Sequence, residues 1–221
     1  MSVLSARWDT GVAISHSHPD LLRHIVREGV HGNVLEIGVA GGGSALCLME
    51  LVENQDNFIV TVDPWGSKPY ATSGARYGEN FQRGALAVLG EWANKANVNW
   101  HHFKMDSRDA LALMAESVCW YGGQAREYKW STVFLDGEHT IEYVTDELNL
   151  LTMTDNLAAG GVIFIDNANH AQSTEPGGLR GAPRGDSMQA AITQWCEVNG
   201  FAVTFIPYPD GDLLAELRRR T

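Results

Sequence analysis

Basic side chains are scarce in this sequence of 221 residues. It has 16 Lys and Arg against 27 Asp and Glu, which gives a formal net charge of −11 at pH 7. A protein that binds nucleic acid through its phosphates needs a clustered basic surface. The one basic cluster, Arg218-Arg219-Arg220, is close to the C-terminus, and we interpret it as a solvated end. We therefore expect no nucleic-acid partner.

Cysteine is also scarce, and long apolar runs are missing. The three cysteines, Cys47, Cys119 and Cys196, are scattered and form no CxxC pair, which argues against a disulfide framework and against a zinc site. The first residues lack the apolar run of a signal peptide, and no apolar stretch approaches the length of a membrane span. These features predict reduced thiols, a cytoplasmic location and no membrane partner.

Short apolar runs alternate with helical patterns along the chain, which favours a mostly parallel sheet with helices on both faces. Seven strands are predicted, at residues 33–37, 58–62, 98–103, 131–135, 161–165, 201–206 and 213–217. Helices are predicted at residues 17–28, 44–52, 79–93, 108–116, 140–151 and 187–198. The short connection between the last two strands suits an antiparallel hairpin. The predicted fold class is therefore α/β, a Rossmann-like doubly wound sheet of seven strands with an antiparallel C-terminal hairpin.

The length suits one domain, which we place over residues 1–221 with an N-terminal helical cap over residues 1–30. Two long polar connections, residues 64–78 and 168–186, leave the C-terminal ends of predicted strands, where such folds bind ligands. We interpret them as lids over a substrate, and ordinary surface loops are the alternative. The polar candidates for an acceptor pocket in the second connection are Asn169, His170, Arg180 and Arg184.

A glycine-rich turn follows the first strand, in the segment Glu-Ile-Gly-Val-Ala-Gly-Gly-Gly-Ser at residues 36–44. Small residues between a strand and a helix let a ligand approach the backbone and leave helix N–H groups free. A dinucleotide-binding turn would be G-x-G-x-x-G, but Ala40 occupies the place of the second glycine and Glu36 precedes the turn. The pattern therefore disfavours NAD and favours a ligand without a pyrophosphate.

Acidic residues also stand at the ends of the next two strands. Asp63 ends the second strand, where a carboxylate can accept both hydroxyls of a ribose. Asp106 and Ser107 follow the third strand, where they are placed to meet an adenine. Each acid can instead be a helix N-cap, and for Asp106 that alternative stays open. Together the three successive strand ends predict one nucleoside cleft.

The segment at residues 34–44 resembles the first motif of class I S-adenosylmethionine-dependent methyltransferases. It is most similar to the branch that contains the macrocin-type sugar O-methyltransferases and the cephalosporin-hydroxylase-like proteins, and the similarity spans roughly residues 33–200. The resemblance implies S-adenosylmethionine (SAM) as cofactor. In this family the first motif lines the methionine portion, the acid after the second strand holds the ribose, and the acid after the third approaches the adenine amine. The implied cofactor-binding residues are Glu36, Gly38, Gly42, Ser44, Asp63, Asp106, Ser107 and Asp136.

The fourth and fifth strands end in polar segments of their own. Asp136 follows one strand, and Asp166 and Asn167 follow the other. In the methyltransferase strand order these strands are neighbours, ~5 Å apart, so the three side chains are expected to converge at the mouth of the cleft. Three hard oxygen ligands with open positions suit Mg²⁺, or Mn²⁺ in its place. The alternative is that both acids merely cap the turns after their strands.

The pattern Asp-Gly-Glu-His-Thr followed by Ile-Asp-Asn resembles metal-dependent O-methyltransferases of the macrocin, catechol and caffeoyl-CoA types. The resemblance implies that Asp136, Asp166 and Asn167 bind the metal. In the sugar-modifying branch an acid two residues after the first ligand acts as general base, which implies this role for Glu138. His139 is a second candidate base, and a polar side chain at the start of a helix is its alternative role.

These features predict a SAM-dependent O-methyltransferase that acts on a hydroxyl of a small molecule, such as a sugar, a glycoside or a similar diol. The metal would orient the acceptor and lower its pKa. The alternatives are a metal-independent N- or C-methyltransferase of small molecules and an inactive cofactor-binding subunit. A homo-oligomer is left open, because related enzymes often form one and seven Trp leave apolar surface to spare.

Overall fold

Strands and helices alternate along the chain in the computed structural model, which describes residues 19–52, 56–65, 79–121, 124–169, 187–208 and 211–220. The helices in these residues are α1 Pro19–Glu28, α2 Gly43–Leu48, α3 Glu79–Ala96, α4 Ser107–Glu116, α5 Ile141–Met153 and α6 Ser187–Asn199, and a 3₁₀ turn, Met49–Leu51, follows α2. The strands are β1 Val34–Ile37, β2 Phe58–Val62, β3 Asn99–Phe103, β4 Val118–Tyr121, β5 Gln124–Glu127, β6 Trp130–Leu135, β7 Leu157–Ile165, β8 Phe201–Pro207 and β9 Leu213–Arg219.

Seven of the strands form one sheet in the order β3-β2-β1-β6-β7-β9-β8. The first five in this order run parallel to one another. Strand β9 lies antiparallel between β7 and β8, and pairs with both. The predicted fold class, a doubly wound sheet with an antiparallel C-terminal hairpin, is confirmed. All parallel neighbours end at the same edge of the sheet, so the polar segments after β1, β2, β3, β6 and β7 share one edge.

Helices cover both faces of the sheet, which explains why β1 and β2 are buried at every position. Alternate side chains of each strand point to opposite faces. Leu35 of β1 belongs to the apolar cluster with residues of α4, α5 and α6. Its neighbour Val34 belongs to the cluster with residues of α1, α2 and α3. Parallel strands covered on both faces have near-continuous apolar sequences, and that made these strands predictable.

The hairpin of β4 and β5 was not predicted. It forms a separate two-stranded sheet with the register Val118↔Glu127 and Tyr121↔Gln124. The two residues between its strands in the sequence are Gly122 and Gly123. A glycine pair between two short strands is a known hairpin signal, so the sequence did carry the information.

Two boundaries differ from the prediction for identifiable reasons. Strand β7 begins at Leu157 instead of residue 161, and the positive φ of 75° at Gly160 accompanies a register shift against β6. Glycine inside a strand weakens its apolar pattern, so the residues before 161 were not predicted as part of this strand. Strand β9 ends at Arg219 instead of residue 217, because Arg218 donates to Glu216 Oε1 at 2.7 Å and to the backbone oxygen of Glu28 at 2.7 Å. Arg219 and Arg220 are exposed, as expected for a solvated end.

Parts of three predicted segments lie outside the described residues: the first 18 residues of the cap, residues 66–78 of the first lid and residues 170–186 of the second. His170, Arg180 and Arg184 are therefore not described. The single-domain assignment stays a prediction. No helix in the described part of the chain is long and apolar enough to cross a membrane.

Candidate active site

The glycine turn, residues 38–43, connects β1 to α2 and fits closely against the end of β6. Gly38 has a φ of 86°, and its N–H donates to the backbone oxygen of Val62 at 2.9 Å. A Cβ at Gly38 would collide with the backbone oxygen of Asp136. Only glycine meets both conditions without strain. The turn and the polar segment after β6 are therefore in direct backbone contact.

Asp63 holds the glycine turn from the end of β2. Its Oδ2 accepts from the N–H groups of Val39 and Ala40 at 2.9 and 3.0 Å, and its Oδ1 accepts from Trp65 N–H at 2.8 Å. The side chain is fully buried. In the described residues Asp63 is thus an anchor for the turn, and its contact with a ribose stays a prediction.

Glu36 is the most isolated acid in the site. It stands near the end of β1 with no exposed surface. Within the described residues, neither carboxylate oxygen has a hydrogen-bond partner at a good distance and angle. Burial raises the pKa of Glu36 well above its usual value, and the nearby Ser44 hydroxyl opposes the rise only in part. A buried carboxyl without a partner is unfavourable unless a ligand supplies one.

Asp106 begins α4 as its N-cap, with Oδ1 accepting from Arg108 N–H at 3.0 Å. Its Oδ2 accepts from the Tyr143 hydroxyl at 3.2 Å. The next residue, Ser107, donates its hydroxyl to the buried Glu147 Oε1 at 2.5 Å. The capping alternative for Asp106 is thus present in the structure, and contact with an adenine stays a prediction.

The structure brings Asp136 and Asp166 together as expected from the neighbouring strands β6 and β7. We call these two residues the acid pair. Burial raises the pKa of each carboxyl to about 7. The charge of Asp136 raises the pKa of Asp166 further, as expected for two acids at one site. Asn167 donates its amide N–H to Asp166 Oδ2 at 2.9 Å, so all three predicted metal ligands are adjacent.

The two candidate bases lie beside the acid pair. His139 Nε2 is 3.5 Å from Asp136 Oδ1. Burial lowers the pKa of His139, whereas the charges of Asp166, Glu138 and Asp212 oppose the decrease. Glu138 is partly buried on the same turn. Thr140, not His139, caps α5 by accepting from Tyr143 N–H at 3.2 Å, so capping does not account for His139.

No group of three or more His, Cys, Asp or Glu side chains within the described ranges is arranged to hold a metal ion. The predicted ligand set contains two carboxylates and one amide. Asn167 is not one of those four residue types, so the predicted set is not a group of this kind. Metal binding stays a prediction.

A family model described as a methyltransferase domain matches residues 35–168. These residues include the strand ends that carry Glu36, Asp63, Asp106, Asp136 and Asp166. The chain belongs to the methyltransferase-domain family. No curated protein sequence matches it significantly.

Solved structures share the fold of this methyltransferase domain. The methyltransferase PaMTH1 of Podospora anserina, with S-adenosylhomocysteine (SAH) bound, has a TM-score of 0.61 at 15% identity, and the match covers 99% of this chain and 88% of that one. An O-methyltransferase of Bacillus cereus in complex with SAH gives 0.57 at 17%, covering 98% and 88%. The O-methyltransferase TomG of Streptomyces achromogenes, in complex with SAM and involved in tomaymycin synthesis, gives 0.55 at 19%, covering 99% and 89%.

Two tyrosines that contact acids of the candidate site were not predicted from the sequence. Tyr143 reaches Asp106 from α5, and the Arg108 guanidinium lies over its ring, 3.9 Å from the centroid. Tyr208 reaches Asp166 from the connection between β8 and β9. Both lie far in sequence from the acids they contact. The pattern around Tyr143 was assigned only to a helix, and the residues around Tyr208 only to a hairpin.

Proposed function

We propose that this methyltransferase-domain chain transfers a methyl group from SAM to a hydroxyl of a small molecule, such as a sugar, a glycoside or a similar diol. We further propose that a divalent metal, Mg²⁺ or Mn²⁺, orients the acceptor. The observation that carries the proposal is the position of the acid pair. It lies directly against the glycine turn, because Gly38 packs on the backbone of Asp136. A methyl donor and a hydroxyl acceptor would then be neighbours.

The fit to SAM rests on Glu36 and the glycine turn. Glu36 is a fully buried carboxyl without a complete hydrogen bond, and the ammonium of the methionine portion would supply the missing partner. The turn offers a close approach to the backbone. When bound, SAM supplies a methyl group on a sulfonium whose sulfur leaves as a neutral thioether. Relatives of the same fold that carry SAM or SAH support this choice of cofactor.

The fit to a metal rests on the chemistry of the donors. Two neighbouring buried carboxyls, each with a pKa raised to about 7, are compensated by a cation better than by water. The metal would be held by Asp136, Asp166 and Asn167, and when bound it lowers the pKa of an acceptor hydroxyl.

The chain itself would orient the acceptor and remove its proton. The proton passes from the hydroxyl to the carboxylate of Glu138, and Nε2 of His139, which lies at the acid pair, is the second candidate. Alignment of the acceptor oxygen with the methyl group supplies much of the rate, because the transfer is in line. The acceptor is proposed to be a small molecule, since the acidic chain offers little attraction to nucleic acid.

The first test is calorimetric titration of SAM into the purified protein with and without Mg²⁺. We expect binding in the micromolar range in at least one condition. Absence of binding in both would refute the cofactor, and the glycine turn would then serve packing alone. Binding without methyl transfer to any of a panel of vicinal diols and sugars would favour the inactive cofactor-binding subunit.

The second test compares methyl transfer with added Mn²⁺ and with a chelator. We expect the chelator and the Asp136→Asn substitution each to reduce the rate more than about 100-fold, since loss of an outer-shell partner alone typically reduces it 10–100-fold. Asp155→Asn is the matched control, because Asp155 is exposed and pairs with Lys129. Full activity after both treatments would instead favour a metal-independent N- or C-methyltransferase.

A further inference from the structure

The connection between β8 and β9 reaches the acid pair through one side chain. The hydroxyl of Tyr208 donates to Asp166 Oδ1 at 3.2 Å. The tyrosine ring packs against the apolar cluster on the α1–α3 face of the sheet, which fixes the direction of the hydroxyl. Tyr208 lies outside the residues that match the methyltransferase-domain family, 35–168. Its contact with Asp166 is therefore a feature of this chain that the family match does not cover.

The same connection is bound to the turn after β7 at three further points. The N–H of Ala168 donates to the Leu213 oxygen at 2.7 Å, and the N–H of Leu213 donates to Asn169 Oδ1 at 3.2 Å. The Asn169 amide donates to the Gly211 oxygen at 2.9 Å. Strands β7 and β9 continue this contact with the register Ile165↔Ala215. Four hydrogen bonds in all therefore join the turn that carries Asp166 to the connection that carries Tyr208 and to the start of β9.

Asp166 receives one neutral donor on each oxygen, Tyr208 on Oδ1 and Asn167 on Oδ2. A carboxylate has about four lone-pair positions, so these two bonds leave positions on the side of Asp136. The two donors therefore restrain the orientation of the carboxyl through both of its oxygens.

We propose that Tyr208 is a positioning residue of the acceptor site, whose hydroxyl holds the Asp166 carboxyl in the orientation that faces Asp136. The proposal rests on the proposed function, because it treats Asp166 as a metal ligand. Residues that hydrogen-bond to a metal ligand and orient it typically contribute 10–100-fold to metal affinity or activity. The terminal hairpin, which the sequence predicts only as an antiparallel hairpin, then becomes part of the active site.

The test is the Tyr208→Phe substitution, which removes the hydroxyl and keeps the ring. Mn²⁺ binding is measured by calorimetry with SAM present, and SAM binding and methyl-transfer kinetics are measured separately. We expect the dissociation constant for Mn²⁺ to rise about tenfold or more and kcat to fall by a similar factor. The dissociation constant for SAM is expected to stay within about twofold of that of the unsubstituted protein, because Asp166 lies at the acceptor end.

Two other tyrosines provide matched controls. The hydroxyl of Tyr143 also donates to a carboxylate at 3.2 Å, but that carboxylate is Asp106. Tyr143→Phe is expected to weaken SAM binding and to leave Mn²⁺ binding unchanged. The ring of Tyr128 packs against Phe58 and Trp130 in the core, with centroids 5.8 and 5.6 Å away, so Tyr128→Phe is expected to change neither affinity.

Three outcomes would overturn the proposal, and they differ in what they imply for the proposed function. If the unsubstituted protein binds Mn²⁺ and Tyr208→Phe binds it equally well, Tyr208 has no positioning role and the metal-dependent function stands. If the unsubstituted protein does not bind Mn²⁺, the metal part of the proposed function is wrong and the proposal falls with it. If Tyr208→Phe also loses SAM binding, the hydroxyl supports the whole domain and not the acceptor end.

Discussion

Gly38 is the residue at which the fold and the proposed chemistry depend most directly on one another. Its φ is positive, and a Cβ would strike the backbone oxygen of Asp136. We expect Gly38→Ala to reduce the free energy of unfolding by about 1–3 kcal/mol, the usual range for a strained backbone position. SAM binding is expected to be lost, because the turn must move away from the acid pair. Denaturant unfolding and calorimetric titration measure the two effects.

Gly84 provides the matched control for Gly38. It lies inside α3, and a Cβ there would meet no atom within 4 Å. Glycine inside a helix is unfavourable relative to alanine, so Gly84→Ala is expected to increase the free energy of unfolding by about 0.5–1 kcal/mol. SAM affinity is expected to remain unchanged. A loss of stability at both positions would mean that the close contact at Gly38 is not the cause.

Single residues of the site were predictable where a strand end marks them. Glu36, Asp136 and Asp166 each follow an apolar run, and parallel strands place such residues at one edge. Tyr143 and Tyr208 were not predictable by this route. Each reaches its carboxyl partner from an element 37 or 42 residues away in sequence, and no local pattern records that distance.

Among the elements, α4 begins at a residue with two candidate roles. Asp106 caps the helix and bonds to Tyr143, and the resemblance also places it near the adenine. Asparagine caps a helix as well as aspartate does, whereas alanine does not. We expect Asp106→Ala to reduce the free energy of unfolding by about 1–2 kcal/mol and Asp106→Asn to change it much less.

The same two variants test the contact with the adenine. If Asp106 accepts a hydrogen bond from the adenine amine, both substitutions weaken SAM binding, because the amide is the poorer acceptor. If only Asp106→Ala weakens SAM binding, the residue acts through the helix start alone. Calorimetric titration beside thermal unfolding separates the two roles.

Element types were predictable from periodicity, and the exceptions follow from glycine. The apolar runs of β1 and β2 are buried at every position, which is the pattern of a covered parallel sheet. Strand β7 was shortened in the prediction by its glycines, and the β4–β5 hairpin was overlooked although its glycine pair indicates a turn. The end of α2 was extended because a 3₁₀ turn, Met49–Leu51, has nearly the same apolar spacing.

At the scale of the whole molecule, buried acids predict how stability depends on pH. Glu147 is buried, and burial raises its pKa from 4.5 to about 8, with the Ser107 hydrogen bond opposing the rise. The folded state therefore holds a proton that the unfolded chain releases near pH 4.5. The contribution of Glu147 is complete below that pH and is lost as the pH rises to about 8.

Glu147→Gln removes this titration and retains an acceptor for Ser107. We expect the free energy of unfolding of the unsubstituted protein to fall faster between pH 5 and pH 8, by up to about 1.4 kcal/mol per pH unit more than in the variant. Denaturant unfolding at each pH measures the difference. Parallel pH profiles would show that Glu147 is ionised in the folded state.

The neighbouring positions of β6 and β7 were predictable because the resemblance to methyltransferases implies their strand order. The packing of the C-terminal hairpin beside the acid pair was not predictable, since it depends on contacts such as Ala168 to Leu213 that no periodicity encodes. Substrate specificity stays at the level of proposals for a related reason. Residues 66–78 and 170–186, the predicted lids, lie outside the described residues.

The insertion of β9 between β7 and β8 has a consequence for the order in which the molecule folds and opens. The hairpin of β8 and β9 is local and can form within about 1–10 μs, but it joins the sheet only by closing a loop from Ile165 to Ala215. The glycine turn needs none of these contacts. We therefore expect the contacts between the hairpin and the acid pair to form last during folding. The amide hydrogens of the hairpin are expected to exchange first in native-state hydrogen exchange. Opening of the β8–β9 hairpin would then interrupt methyl transfer while SAM stays bound.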